Sequence, residues 1–333
     1  MKDIRIAELE FHIRFCASGR LSKNKSSGLR GGIGRKLIRL FCIDDKCQIQ
    51  NEKQNGRCKC EYADECIAQR FMYAAFDLPC QGVNGDTSEG YMVICRDSDE
   101  YVSAGEEMIF RIILLGKTVV LFNPVLMAVY ELGQEGLGEE RIPFTVNEVK
   151  NERGESILSG STICKEYYRI NRMEDIFRDR FKKLQDIEEL TIDLLTPVSI
   201  KRGGVILKAD ELEIMALLAA ADFRYYSIKC YEGIPAERPK AIPDYADKIW
   251  VLESNLRPTS GKRHSGRKDQ MIPLKGVKGR LRISLKDCTP EDREKILSTL
   301  IRGEILHVGS HTSIGYGKYV MHSFVLGDRR EEE

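Results

Sequence analysis

The first fifteen residues of the chain alternate between apolar and polar side chains. In an extended chain Leu9, Phe11 and Ile13 share one face, and His12 lies on the other. A period of two over this length predicts a half-buried β-strand. The segment 28–41 then changes to a helical period, so the pattern predicts a strand followed by a helix.

Further strands and helices are predicted by the same pattern in both halves of the chain. In the first half it predicts strands at 107–116 and 118–122, a short helix at 123–133 that ends at Gly133, and a strand at 141–149. In the second half it predicts a strand at 190–201 interrupted by Pro197, helices at 209–226 and 289–303, and strands at 304–309 and 317–326. Thr289 is the predicted N-cap of the last helix, Pro290 its first residue and Gly303 its stop. The charged segment 173–190 is interpreted as a linker, and the basic region before the last helix as loops.

Each half thus has the order strand, helix, strands, helix, strand. This order predicts an α+β fold built from two tandem ferredoxin-like (RRM-like) domains. We place the N-terminal domain at 1–185, with a cysteine-rich insertion at about 42–80. The C-terminal domain is placed at 186–328 and carries a glycine-rich loop at 303–319. A length of 333 residues fits two domains.

The net charge of +1 says nothing about nucleic acid, but the distribution of charge does. Seven basic residues and no acidic one lie between Arg20 and Arg39, and nine basic residues with the single acid Asp269 lie between Arg257 and Arg282. Local basic stripes on a neutral chain indicate a site for a polyphosphate. No apolar run has membrane-spanning length and the start lacks the core of a signal peptide, so we expect a cytoplasmic protein with no membrane partner.

Two glycine-rich segments are candidates for holding phosphate groups. In "GLRGGIGRKL", Arg35 follows Gly34 where a nucleotide phosphate loop needs lysine, and Leu37 replaces the third glycine of a dinucleotide motif. A nucleotide is therefore disfavoured, and another phosphate at a helix N-terminus is expected. The second segment, 307–320, is either a loop that grips a phosphate backbone or a long turn whose glycines only supply positive φ.

Five ordered blocks of the sequence resemble the CRISPR precursor-RNA processing endoribonucleases of the RAMP (repeat-associated mysterious protein) superfamily. They are "LRGGIGRKLIRLFC", "FRIILLGKTVVLFNPVLMAVYELGQEGLGEERIPFTVNEV", "LLTPVSIK", "RHSGRKDQMIPLKGVKG" and "LHVGSHTSIGYGKYV". The resemblance spans almost the whole chain. It implies two ferredoxin-like folds, binding of CRISPR repeat RNA, and cleavage of precursor crRNA that needs no metal or other catalytic cofactor.

On this basis the expected phosphates are those of an RNA backbone. The predicted RNA-binding residues are Lys23, Lys25, Arg30, Arg35, Lys36, Arg263, His264, Arg267, Lys268, Lys275, Lys278 and Lys318. The first helix and the second basic stripe are expected to form opposite walls of a cleft. Subunits of a CRISPR effector complex are further expected partners, and the chain is expected to be a monomer or a homodimer.

RNA cleavage of this kind uses the RNA's own 2′-hydroxyl, so the protein has to move protons and stabilise charge. Histidine suits the proton transfers, and His307 and His311 flank the second glycine segment, so they are the predicted base and acid. Family members often carry a histidine in or before the first helix, where this chain has none. Two alternatives therefore stay open: histidine-free cleavage supported by Lys23, Lys25 and Lys36, and RNA binding without cleavage.

The cysteines concentrate in the first-half insertion. Cys42, Cys47, Cys58, Cys60 and Cys66 fall within 25 residues. Four thiolates complete a tetrahedral zinc site, and Cys42, Cys58, Cys60 and Cys66 are the predicted ligands of a structural zinc ion. The alternative is a loop that carries reduced thiols.

Overall fold

The computed structural model describes residues 3–43, 60–63, 65–72, 78–81, 90–239, 248–265 and 270–323. In these ranges the helices are α1 Lys25–Phe41, α2 Ile67–Met72, α3 Phe122–Glu135, α4 Met173–Leu184, α5 Ile214–Tyr231 and α6 Pro290–Leu306. The strands of the first half are β1 Arg5–Phe15, β2 Gly19–Arg20, β3 Tyr91–Ile94, β4 Tyr101–Val102, β5 Glu107–Leu115, β6 Phe144–Lys150, β7 Ser156–Ser159, β8 Thr162–Ile163 and β9 Asn171–Arg172. Those of the second half are β10 Glu189–Val198, β11 Lys201–Arg202, β12 Val205–Ile206, β13 Trp250–Ser265, β14 Gln270–Ser284 and β15 Tyr319–Ser323.

The first half is built on an antiparallel sheet with the strand order β3-β5-β1-β6-β7-β8, and β9 also pairs with β1. The alternation in β1 places Leu9, Phe11 and Ile13 on the face that α1 and α3 cover. Phe11 lies opposite Phe110 of β5, and their rings stack with centroids 5.0 Å apart. The strand predicted from the first fifteen residues is therefore confirmed, because its period of two matches one covered face.

The second half is built on a four-stranded antiparallel sheet with the order β13-β14-β10-β15. Helices α5 and α6 contribute Leu217, Leu218 and Leu300 to a core against Ile192 and Ile283 of the sheet. The pairing of β10 with β14 is irregular between Leu194 and Val198, around Pro197. Proline cannot donate to the ladder, so the predicted interruption is confirmed.

The two halves meet across the face of the first sheet that α1 and α3 leave uncovered. Ile6, Met92 and Ile113 of this face pack against Ile228 of α5 and Leu306 of α6. The ends of α5 and α6 are thereby fixed on the first sheet, together with the turn that follows α6.

The opening glycine-rich segment lies inside α1 and does not precede it. The helix begins at Lys25, and the side chain of its N-cap Asn24 accepts a hydrogen bond from Ser27 N at 3.1 Å. A β-carbon at Gly32 would lie 2.6 Å from Leu132 of α3. This glycine therefore allows the two helices to approach closely, and the expected glycine cradle at a helix N-terminus is wrong.

Three more segments differ from the predicted elements. The segment 118–122 is part of a 3-10 helix, Gly116–Leu121, because Gly116 turns the chain with φ of 56°. Helix α6 continues past Gly303 to Leu306, and a β-carbon at Gly303 would collide with the Tyr319 hydroxyl of β15. The basic region predicted as loops is the long hairpin β13–β14.

The charged segment predicted as a linker forms helix α4, which packs on α6. Phe177, Phe181 and Leu184 of α4 lie against the second core. Arg180 donates from Nε and Nη2 to the Glu304 carboxylate, each at 2.8 Å, and Glu304 also accepts from the backbone N–H of Met321. The segment was misread because its polar residues face solvent while its few apolar ones reach a distant core.

We predict that Arg180→Ala destabilises the protein through this ion pair. The Glu304 side chain is 9% exposed and that of Arg180 is 26% exposed. Loss of one partner of a fully buried pair costs roughly 3–5 kcal/mol, so we expect about 2–3 kcal/mol at this partly exposed site. Denaturant unfolding measures the loss, with Lys183→Ala on the exposed face of α4 as control. Equal stability of the two variants would contradict the prediction.

A candidate nucleic-acid interface

The turn between α6 and β15, residues 307–318, contains the second glycine-rich segment. Gly309, Gly315 and Gly317 have positive φ of 78–81°. β-Carbons at Gly309 and Gly317 would collide with the backbone of Ser199 and Val308. Ser310 N donates to Ser199 O at 2.7 Å and Gly317 N to Pro197 O at 2.9 Å, so the turn is fixed to the end of β10. Close backbone packing and positive φ account for these glycines.

This turn lies between the two halves of the molecule. Gly315 contacts Val93 and Ile94 at the end of β3, the edge strand of the first sheet. On the other side, the Tyr316 hydroxyl lies 4.0 Å from the position of a β-carbon on Gly261 in β13. The turn therefore brings together α1, the first sheet and the long hairpin.

His311 is the chemically distinctive group of the turn. Its backbone is left-handed with φ of 68°, and its half-buried ring meets the Tyr316 ring edge-on at 5.8 Å between centroids. Burial lowers the pKa of His311 to about 4, and the positive charges of Arg263, Lys201 and Arg30 lower it further in that order. The imidazole is therefore neutral at pH 7, beside cations from β13, β11 and α1. This convergence defines the candidate site.

His307 does not share that surface. Its side chain is fully buried, and its Nδ1 lies 3.2 Å from the carbonyl oxygen of Tyr316. Burial, and then the charge of Lys318, hold the pKa of His307 well below its usual value. The expectation that His307 and His311 act from opposite sides of the loop is corrected, because only His311 reaches the surface.

Arg30 is the part of the first helix that reaches the candidate site. Its guanidinium carbon lies 5.8 Å from the centroid of the Tyr91 ring, a cation–π arrangement. Its Nε is buried and has no hydrogen-bond partner among the described residues. A buried guanidinium nitrogen without an acceptor is costly, and a phosphate oxygen would supply one.

Three of the predicted RNA-binding lysines have internal partners instead. The ammonium of Lys25 pairs with Asp97 at 2.9 Å, and that of Lys36 pairs with Glu135 at 2.7 Å; the two lysine side chains are 1% and 5% exposed. Lys318 Nζ donates to the backbone oxygen of Glu304 at 2.8 Å. These cations hold the fold together, which corrects the expectation that they face RNA.

The remaining predicted cations are distributed over more than one surface. Lys23, Arg35, Lys275 and Lys278 are exposed, and Arg263 is half-buried. Along the regular part of the hairpin, Arg263 lies on the face of Gly261 and therefore toward Tyr316, whereas Lys275 lies on the opposite face. His264 belongs to β13, and Arg267 and Lys268 lie outside the described residues. The second basic stripe is thus divided between two faces of a hairpin.

The predicted zinc ligands are only partly covered by the described residues. Cys42, Cys60 and Cys66 are half-buried free cysteines, and Cys58 lies outside the described ranges. Within the described ranges no group of three or more histidine, cysteine, aspartate or glutamate side chains could hold a metal ion. A structural zinc ion stays a prediction.

Sequence reasoning missed Lys201, one of the three cations around His311. The signal was present as the basic pair Lys201-Arg202 directly before Gly203-Gly204. It was overlooked because both long basic stripes lie elsewhere in the chain. A search for helices in the described part of the chain also finds none with the length and apolarity to cross a membrane.

Solved structures of Cas6 share this fold. A chain of the partial Cas6-RT-Cas1--Cas2 complex matches 98% of this chain with a TM-score of 0.55 and 12% identity, and this chain spans 47% of its length. The Cas6 (TTHA0078) product complex matches 96% of this chain and 100% of its own, with a TM-score of 0.52 and 17% identity. Thermus thermophilus Cas6 (TTHB231) matches 97% of this chain and 100% of its own, with a TM-score of 0.51 and 12% identity. The mixed α/β fold with antiparallel sheets is therefore that of Cas6.

The sequence comparisons add a family. No curated relative matches the sequence. The family model AF_1859_N, described as an N-terminal domain, matches residues 4–174 and so covers the first sheet with α1 and α3. Because this match extends over just over half of the chain, the protein belongs to the AF_1859_N family.

Proposed function

We propose that the protein binds CRISPR repeat RNA around His311 and cleaves precursor crRNA there. The observation that carries the proposal is the convergence of Arg30, Arg263 and Lys201 on a neutral histidine between the two halves. Cas6, whose fold the chain shares, has been solved in product complexes. Cations from separate elements suit the phosphates of a strand that crosses all of them.

We also infer that each half is a ferredoxin-like unit. In chain order the four central strands of the first sheet are β1, β3, β5 and β6, and they lie side by side as β3-β5-β1-β6. The second sheet repeats this arrangement as β13-β14-β10-β15. With two helices packed on each sheet, both halves support the tandem arrangement expected from the sequence.

The proposed reaction needs no metal ion. The 2′-hydroxyl of a nucleotide attacks the adjacent phosphorus, the bond to the 5′-oxygen breaks, and the products are a 2′,3′-cyclic phosphate and a 5′-hydroxyl. His311 is neutral and can accept the proton of the 2′-hydroxyl. Arg30, Arg263 and Lys201 stabilise the charge that develops on the phosphate. The leaving oxygen takes a proton from the imidazolium so formed or from solvent.

A second candidate function is binding of repeat RNA without cleavage, as a subunit of a CRISPR effector complex. The burial of His307 and the low pKa of His311 favour it, because one histidine is inaccessible and the other is a weak base. The cations that would hold the RNA are unaffected by either feature. The two functions therefore differ in chemistry and share one surface.

Single-turnover incubation of repeat RNA with excess protein in EDTA tests the first function. We expect cleavage that leaves a cyclic phosphate, and no cleavage of RNA with one 2′-deoxy nucleotide at the cut position. Because the pKa of His311 is about 4, the second-order rate constant should be flat between roughly pH 5.5 and 8.

Other outcomes of that experiment separate the alternatives. A gel shift without cleavage supports the binding subunit. A rate that rises with pH around 6.5 assigns the reaction to a histidine with an ordinary pKa. Absence of both binding and cleavage rejects the two functions together.

A further inference from the structure

A small hairpin, β11–β12, stands beside the candidate site and has no role in either core. Lys201 and Arg202 at its start are exposed, and Val205 is 69% exposed. No acidic residue lies between Asp193 and Asp210 in the sequence. Among the described residues, neither Lys201 nor Arg202 has a hydrogen-bond or ion-pair partner. Two unneutralised cations on one protrusion are available to an anionic ligand.

The hairpin has a defined shape. Gly203 and Gly204 form its two-residue turn with φ of 58° and 85°, which matches the favoured hairpin turn with two positive-φ residues. Open space surrounds both glycines, so only the turn conformation requires them. At the base, Leu207 N donates to Ile200 O at 2.9 Å. The cations are therefore presented on a short arm with paired strands.

The arm is joined to the turn that carries His311. Ser199, two residues before Lys201, forms a parallel bridge with Gly309, and its carbonyl oxygen accepts from Ser310 N at 2.7 Å. Ser310 directly precedes His311. The arm and the proposed reaction centre thus belong to one hydrogen-bonded unit, and the charge of Lys201 acts on His311.

The composition of the arm favours a nucleic-acid strand over a small anion. A phosphate ion would use the two cations and leave Val205 in water. An RNA strand offers phosphates to Lys201 and Arg202 and a base to Val205 at the same time.

We propose that the Lys201–Ile206 hairpin is a second RNA-contact arm, which holds phosphates of nucleotides next to the one at His311. This inference rests on the proposed function and adds to it a surface that neither basic stripe contains. Through it the arm sets the path of the strand into the site. The cations of the arm are positioning residues, except that Lys201 also faces the reacting phosphate.

The test measures affinity for an uncleavable repeat RNA with a 2′-deoxy nucleotide at the cut position, as a function of salt. The variant is Lys201→Gln/Arg202→Gln, and the matched control is Lys182→Gln/Lys183→Gln, two exposed cations of α4. Each lost phosphate contact to a single strand should reduce the log–log salt slope by about 0.7, so we expect about 1.4 for the arm and none for the control. Affinity should fall about tenfold or more, the loss of at least one hydrogen bond to a charged group.

A further variant separates the apolar contact from charge. Val205→Ser should weaken binding and leave the salt slope unchanged, because an apolar contact releases no counterions. All of these positions are exposed, so thermal unfolding should be the same in each variant.

The outcomes distinguish the arm from the proposed function. If the arm variant binds like the parent while Arg30→Gln/Arg263→Gln loses affinity, the arm inference is overturned and the function stands. If arm and control variants lose equally, only bulk charge matters, and the arm is again overturned. If the parent protein does not bind repeat RNA, both are overturned.

Discussion

Replacement of His311 with asparagine should slow single-turnover cleavage by about a hundred- to ten-thousandfold, the usual contribution of a general base. RNA affinity should change little, because the cations around the site remain. Asparagine is chosen because it tolerates the left-handed backbone of this position, where φ is 68°. The measurement is the cleavage rate at saturating protein, with the dissociation constant determined in parallel on uncleavable RNA.

Two other histidines serve as controls for this prediction. His12 lies on the first sheet with its Nε2 2.9 Å from Glu10, and the His322 side chain on β15 is 49% exposed. His12→Asn and His322→Asn should cut at the parental rate. If His311→Asn also cuts at that rate, histidine catalysis at this site is wrong. Lys23 then becomes the leading candidate among the lysines named from the sequence, because Lys25 and Lys36 are paired internally.

Acidification from pH 7.5 to 5 should destabilise the protein through its two buried histidines. The pKa of His311 is about 4 and that of His307 lies well below its usual value, so both are neutral in the folded protein at pH 5. In the unfolded chain each titrates near 6.5 and binds a proton at pH 5. The free energy of unfolding therefore falls below pH 6.5, by up to about 1.4 kcal/mol per pH unit for each histidine. The loss ends at the folded-state pKa.

Denaturant unfolding at several pH values measures this effect. Burial raises the pKa values of Glu8 and Asp222, which opposes the loss at the acidic end of the range. His307→Gln should show a shallower pH dependence than the parent, whatever its stability at pH 7.5. His322→Gln, changed at a half-exposed site, should keep the parental slope. Parallel curves for parent and His307→Gln would show that His307 is not held neutral by the fold.

Local patterns in the sequence were sufficient for the elements whose residues meet a single covered face. The alternation of β1 and the helical period of α3 were identified because each places its apolar residues on one side. The irregularity at Pro197 and the Thr289 cap of α6 were also predicted, since both depend on neighbouring backbone groups. The order of strands and helices in the two halves followed from these local signals.

The partners of charged side chains were decided by tertiary structure alone. Lys25 and Lys36 look like surface cations in sequence, yet Asp97 and Glu135, with which they pair, lie far away along the chain. The same is true of α4, whose Arg180 pairs with Glu304 across 124 positions. Charge patterns show where cations are and carry no information about which of them are already neutralised.

For the candidate site, the sequence by itself determined the residue types: the glycine-rich turn, His311 beside it, and the basic residues of the first helix and the hairpin. Only the tertiary structure decided which of them meet. It buried His307, turned Arg30 and Arg263 toward His311, and added Lys201 from an arm that no charge stripe had marked. The physical reason is that the period of a strand or helix is set by the local backbone, whereas burial and electrostatic proximity depend on the packing of segments distant in the sequence.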